Sequence, residues 1–341
     1  MNDVLNQSES LESQVLTLPS CVLVFNASDP SGAGSLSADV AATASAGAHG
    51  LPVVTGAYSR NTRAVLEHFA FDEEAVAAQA RGILGDIEVA VFKVGFVGTP
   101  ENLDAIAEIA ADYAHVLLIA YVPDLSWWST TQIEAYLDAF ELRLLPHTTV
   151  LAGNHGTLWR WLLPDRSSLK APTARDIALA AQACGAPYTL VTGIALPGGF
   201  IGNVLASAQT VMIRRKFERF ERFEAVFCGA GDTLSAALSA LLATGTNLPE
   251  AVTEALIYLD GSLHSGFRPG MGHVLPDRLF WAKGGENAVA DADTDDVESG
   301  DLRASLGGMG KGKFQKDTGI DLTIQLPHPA TRLISALNND S

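Results

Sequence analysis

Apolar residues fall in short runs separated by small-residue loops, and between the runs they recur every three or four positions. Cys21-Val-Leu-Val-Phe25 is one such run; the loop Asn26 to Gly34, an alanine-rich stretch Ser35 to Gly47 and a second run Leu51 to Thr55 follow it. Strand, tight loop, helix and strand in that order is the signature of a parallel βαβ unit. The pattern repeats, predicting strands at Val89–Val94, Val116–Tyr121, Thr149–Leu151 and Tyr188–Thr192, with helices at Glu73–Leu84, Glu101–Tyr113, Thr130–Leu144 and Thr173–Cys184. Phe200 to Phe223 alternates and then becomes strongly charged from Arg214 to Arg222, which suits antiparallel edge strands with a solvated face. Two helices, one from Asp232 and one from Pro249 to about Gly266, close the fold.

The helix from Asp232 carries the most chemistry. Leu234, Ala237, Leu238, Leu241 and Leu242 recur at helical spacing, Gly245 stands where a C-terminal cap belongs, and Gly229-Ala230-Gly231 precede the acid. First-turn N–H groups lack helical acceptors, and they carry the positive end of the helix dipole. A glycine turn there lets a phosphate approach the backbone, so the stretch predicts an anion cradle with a carboxylate in it. The same aspartate also suits a plain N-cap, and the local sequence leaves both readings open.

Composition narrows the class. A hydrophobic fraction of 48% with 18% charged residues fits a globular protein, and no run has the apolar length of a membrane span. With no basic start followed by an apolar block, and with three cysteines in no paired spacing, the expectation is a reducing, cytoplasmic setting. The formal charge of −17 provides no basic stripe for nucleic acid. The expected organisation is a loose leader over 1–19, one domain over 20–283, and a largely disordered acidic, glycine-rich tail over 284–341, of which residues 284–320 are too poor in apolar side chains to order themselves.

Three stretches in order carry a resemblance: Ser28-Asp-Pro-Ser-Gly-Ala-Gly34 with Ala38-Asp39, Arg60-Asn-Thr62, and Gly229-Ala-Gly-Asp-Thr-Leu-Ser235. They resemble the hydroxymethylpyrimidine/phosphomethylpyrimidine kinases of thiamin biosynthesis, in the ribokinase-like superfamily. Lys93-Val-Gly95 and Leu144-Leu-Pro146 through Asn154 fall where that family has similar residues. The resemblance implies a three-layer α/β/α sandwich with a mostly parallel sheet, ATP and Mg²⁺ as cofactors, and a pyrimidine alcohol or its monophosphate as acceptor. It assigns Gly229, Ala230 and Gly231 to the anion hole and Asp232 to the base position, where sugar kinases of the superfamily carry aspartate. It puts Ala27, Asp29, Asp39, Arg60 and Phe96 on the acceptor side, Phe96 as a ring to stack on a flat heterocycle, and Asn154, Thr192 and Gly193 on the nucleotide side. A homodimer is implied as well.

Departures from the family pattern accompany these matches. Arg60 replaces the usual Gln or Glu, Thr157 replaces a glutamate tied to magnesium and phosphates, Thr192 replaces a lysine, and Ala120 replaces a strand-end aspartate, for which Asp124, four residues on, is the candidate substitute if the loop is shifted. Each removes charge or changes hydrogen-bonding sense near the phosphates or the ring. They motivate two alternatives: another small alcohol as acceptor, pyridoxal-like or a sugar, or a non-catalytic pyrimidine-binding relative.

Overall fold

A computed structural model describes residues 18–164, 171–218 and 227–282. The expectations for 1–17 and 284–341, and for most of the charged run after Glu218, lie outside the described residues. Two units divide the chain, Met1–Arg278 and Leu279–Ser341; of the second, only residues 279–282 are described, ending in a single 3₁₀ turn at Phe280–Ala282.

In the first unit, nine strands form one sheet. They are β1 (Cys21–Ser28), β2 (His49–Arg60), β3 (Val65–Ala70), β4 (Val91–Val94), β5 (Leu117–Val122), β6 (Val150–Asn154), β7 (Tyr188–Leu196), β8 (Phe200–Ala206) and β9 (Val211–Glu218), in the order β3-β2-β1-β4-β5-β6-β7-β8-β9. The six strands from β2 to β7 in that order pair in parallel, and β3, β8 and β9 add antiparallel edges. Their apolar runs are buried on both faces, as parallel strands under two helical layers require.

One layer holds α1 (Ser35–Ser45), α7 (Ala230–Ala243) and α8 (Leu248–His264), with α7 packed against both others. The other holds α2 (Glu73–Leu84), α3 (Pro100–Asp112), α4 (Thr130–Ala139), α5 (His155–Leu162) and α6 (Ala174–Ala183). This is the three-layer sandwich that the family resemblance implies. The predicted helix over Thr130–Leu144 is α4 followed by a π-helical turn at Phe140–Leu144 and a 3₁₀ turn at Leu145–His147. The strand β3 and the helix α5 were not among the expected elements, being short and without a clean period.

Most helices start on their own chemistry. Asp72, Thr99, Ser129, Asn154, Thr173 and Asn247 each accept a first-turn N–H with the side chain, capping α2, α3, α4, α5, α6 and α8. Only α1 and α7 begin on glycines, Gly34 and Gly229, with no side-chain cap of that kind. Both starts lie beside the C-terminal ends of β1 and β4, where the strand order reverses and ligands bind in open α/β sheets.

Candidate active site

The loop after β1 is built around Asp29. Its Oδ1 accepts the Ser31 N–H and O–H at 2.8 and 2.6 Å, and its Oδ2 accepts the Gly34 N–H at 3.0 Å. Arg60, at the end of β2, ties this loop to the glycine turn: its guanidinium lies 3.4 Å from Asp29 Oδ2 and donates to Cys228 Sγ at 3.1 Å. The buried Arg278 makes a second tie, donating to the carbonyls of Gly32 and Ala33 and to Thr233 Oγ1 at 3.2, 2.5 and 2.9 Å. The loop therefore lies directly on the start of α7. Gly229 has φ of 84°, and a Cβ there would sit 1.6 Å from the Ala33 carbonyl oxygen; a Cβ on Gly231 would sit 2.1 Å from the Tyr121 hydroxyl. Both glycines are required by close approach, and the first also by its backbone.

Beneath the turn lies a buried ionic cluster. Lys93 Nζ is 2.8 Å from Asp39 Oδ1 and 3.0 Å from Asp232 Oδ1. Asn26 Nδ2 donates to both carboxylates, at 2.8 Å to Asp39 Oδ2 and 3.0 Å to Asp232 Oδ1. Asp232 Oδ2 accepts the N–H of Ser35 at 2.9 Å. So Asp232 does cap a helix, but it is α1 rather than its own. Ser35 is the one non-glycine with positive φ (56°) among the described residues, a strained position of the kind found where the surroundings over-determine a site. The side chains of Lys93 and Asp39 are 0% exposed, whereas that of Asp232 is 14% exposed.

Burial shapes the ionisation of this cluster. It is the largest influence on Asp39, pushing it up to about 7 against the opposing pull of Lys93. Asp232 is also opposed by burial, yet Lys93 and the Ser35 N–H together hold it below the usual carboxylate range. Lys93 stays raised, because Asp39 and Asp232 outweigh its own desolvation.

Several predicted residues come together here and others do not. Gly229, Ala230, Gly231, Asp232 and the Asp29 loop meet at the start of α7. Asp39 does not reach an acceptor: it is fully buried under Asp232, and its role on the acceptor side is corrected to a partner of Lys93. Ala27 is likewise fully buried, its N–H held by Asn26 Oδ1. Phe96 is 2% exposed and is packed by Tyr58, His68, Trp127, Trp128 and Tyr136 at centroid distances of 4.9 to 5.7 Å, so its ring faces are occupied by the protein's own aromatics rather than open to a heterocycle. Phe96→Ala is expected to cost about 3–5 kcal/mol of stability in denaturant unfolding, the range for deleting a buried aromatic. A loss under about 1 kcal/mol would mean that the ring is not part of the core.

On the nucleotide side, β6–β7 pairing sets Asn154 opposite Thr192. Thr192 Oγ1 donates to the Gly153 carbonyl, and Gly193, at φ of 70°, donates its N–H to Asn203 Oδ1. The exposed Asn154 amide lies against Gly193, where a Cβ would meet it at 2.2 Å. Asp124 is exposed on the loop after β5, its carboxylate accepting the Ser126 N–H and O–H. Among the described residues no three His, Cys, Asp or Glu side chains converge on a metal site.

Three contributors escaped the sequence reading of the site, Asn26, Tyr121 and Arg278, and Lys93 was matched to the family without a role. A lysine inside the apolar strand Val91–Val94 is a signal, since an unpaired buried ammonium is costly and implies carboxylates nearby. Nothing local marks Arg278 or Tyr121: Arg278 reaches the carbonyls of Gly32 and Ala33, 246 and 245 residues away, and Tyr121 lies against Gly231 from another element.

A glycine turn and aspartate at a helix start, at the switch point of a mostly parallel sheet, define a ribokinase-like kinase. The Bacillus subtilis pyridoxal kinase, solved as an ADP complex, shares this fold with a TM-score of 0.68 at 22% identity, over 78% of this chain and 99% of that one. The family model of phosphomethylpyrimidine kinase matches residues 29–277, and the chain belongs to that family of phosphotransferases. Hydroxymethylpyrimidine/phosphomethylpyrimidine kinases of Streptomyces coelicolor and Escherichia coli are each 28% identical, over 78% and 74% of this chain and 96% and 94% of theirs.

Proposed function

We propose that the protein transfers the γ-phosphoryl group of ATP to the hydroxymethyl group of hydroxymethylpyrimidine, and to the phosphate of its monophosphate, within thiamin biosynthesis. The observation that carries this reading is the partly exposed Asp232 carboxylate beside the first-turn N–H groups of α7, in a chain whose family is that of phosphomethylpyrimidine kinases. The N–H groups of Ala230, Gly231 and Asp232 stabilise charge spread over the transferring oxygens, and Asp232 orients the hydroxyl and takes its proton late. The ATP phosphates lie toward Asn154, Thr192 and Gly193, the residues gathered by β6 and β7.

Magnesium supplies neutralisation of the phosphate charge when bound. Since Mg²⁺ would keep several waters and take substrate phosphates as further ligands, one or two carboxylates suffice, and the exposed Asp124 fits that need as the residue that would hold it. Arg60 does not present an open guanidinium to the acceptor, since Asp29 and Cys228 occupy it, so it acts by holding the acceptor loop to the glycine turn. Residues 20–283 constitute the kinase domain in this reading. Cytoplasmic location and a homodimer go with it; no described helix is long and apolar enough to cross a membrane.

The test is ADP release measured with hydroxymethylpyrimidine, its monophosphate, pyridoxal and ribose in turn. The pyrimidine pair is expected to be turned over fastest. Faster turnover of pyridoxal or ribose would reassign the acceptor, and tight pyrimidine binding without ADP release would support the non-catalytic alternative.

A further inference from the structure

The cluster beneath the glycine turn is unbalanced. Two carboxylates, Asp39 and Asp232, share one ammonium, Lys93, and one amide, Asn26, whose Nδ2 donates to both. Asp39 has no exposed atom, so it touches neither acceptor nor nucleotide, and the sandwich does not need a second buried acid to neutralise a single lysine. A buried excess charge is costly, so its retention here asks for a role.

We propose that Asp39 is a positioning residue that sets the basicity of Asp232 through Lys93 and Asn26. This rests on Asp232 being the base. The step is a transfer of one proton and one phosphoryl group: the acceptor O–H bond breaks, its proton passes to Asp232 Oδ2, and the oxygen forms a bond to the γ-phosphorus. The bond from that phosphorus to the bridging oxygen breaks, its electron pair leaving with ADP. Oδ2 is the oxygen with capacity for this, because Oδ1 already accepts from Lys93 and Asn26 while Oδ2, among the described residues, accepts only the Ser35 N–H. With both acids ionised, the cluster starts with one net negative charge and becomes neutral as the proton arrives. Without the Asp39 charge it would start neutral and end with a buried positive charge, so proton acceptance would be disfavoured.

Other groups face Asp232 as well. Tyr121 from β5 and Tyr58 from β2 are held far above their ordinary range, chiefly by burial, and remain neutral. Arg278 from the C-terminal segment is bound to Thr233 and two carbonyls, and Arg60 to Asp29 and Cys228; neither guanidinium changes charge at working pH. The pH-dependent member that distinguishes this cluster from a simple ion pair is Asp39, pushed up to about 7 by burial, so the charge the assignment needs is gained as pH rises through that value.

The experiment measures kcat and KM for phosphoryl transfer from ATP between pH 5 and 9, in wild type, Asp39→Asn, Asp232→Asn, and the double variant Asp39→Asn with Lys93→Met. Asp39→Asn is expected to lower kcat at pH 7.5 about tenfold or more, with KM changed less than about threefold, and to move the acidic limb of kcat down by about one pH unit. The double variant leaves Asp232 without a cation, and its acidic limb should move up instead. Since it carries no unpaired buried ammonium, it keeps the idea testable if the single variant does not fold. A wild-type limb in whichever of the two folds, with only thermal stability altered, would overturn the assignment and leave Asp39 a structural partner of Lys93. If Asp232→Asn keeps the wild-type rate, the base reading itself fails and the role of Asp39 with it; if it loses the rate while Asp39→Asn keeps the wild-type limb, only the role of Asp39 fails.

Discussion

Asp232→Asn is expected to lower turnover about a hundredfold or more, roughly 2.7 kcal/mol of barrier, while the melting temperature moves by only a few degrees. An asparagine oxygen can still accept the Ser35 N–H, so the start of α1 stays capped, while its NH₂ faces the Lys93 and Asn26 donors in place of Oδ1 and accounts for the few degrees lost. Lys93 keeps both oxygens of Asp39, so no unpaired buried ammonium results. What disappears is the proton acceptor beside the glycine turn. The measurement is phosphoryl transfer from ATP to the best acceptor, with thermal unfolding on the same samples. Retention of most of the rate would remove Asp232 from the chemistry. A rate lost together with tens of degrees of stability would make it a structural linchpin of the two helix starts.

Lys93→Met is expected to have the opposite signature, a loss of about 3–5 kcal/mol of stability at neutral pH, because it strips the cation from two buried carboxylates. The direction with pH follows from linkage. Without Lys93 the folded-state pKa values of both acids rise above their unfolded value, so the folded protein binds protons that the unfolded chain has released. Stability is then fully present below about pH 4 and is lost as pH rises through the raised values. The wild type carries a weaker form of this dependence, since Asp39 is already pushed up to about 7. Melting temperatures from pH 4 to 8 check it: the gap between Lys93→Met and wild type should widen as pH rises. A gap independent of pH would mean that Lys93 contributes packing rather than charge.

Much of the scaffold was legible because each element carries its own local instructions. Asp72, Glu73 and Glu74 start α2 with a capped, acid-rich first turn, and its observed range, Glu73–Leu84, is the predicted one. Apolar runs such as Cys21–Phe25, too short for a helix and followed by a turn-rich loop, read as buried strands, and their alternation with helices points to a parallel sheet. The π-helical turn at Phe140–Leu144 was not legible, because its residues continue the helical period of α4. The strand β3 was missed for a related reason: Val65–Ala70 is mostly exposed and shows no clean alternation, and its pairing with β2 decides it.

For the site, the sequence by itself determined the glycine turn, the acid that follows it and the helix it opens, because dipole, unpaired N–H groups and backbone freedom are properties of adjacent residues. It also put Thr192 at the end of a predicted strand, but left Asn154 beyond the strand Thr149–Leu151; β6 runs on to Asn154 and the sheet sets the two side by side. Only the tertiary structure decided which charges face one another. Asp39 looked like an acceptor ligand and is instead a buried partner of Lys93; Phe96 looked like a stacking platform and is enclosed by the protein's own aromatic side chains; Asp232 caps α1, a helix 197 residues away in sequence. The physical reason is that a carboxylate's partner, protonation and exposure depend on what the fold brings within about 3–6 Å of it, and local sequence does not contain that distance.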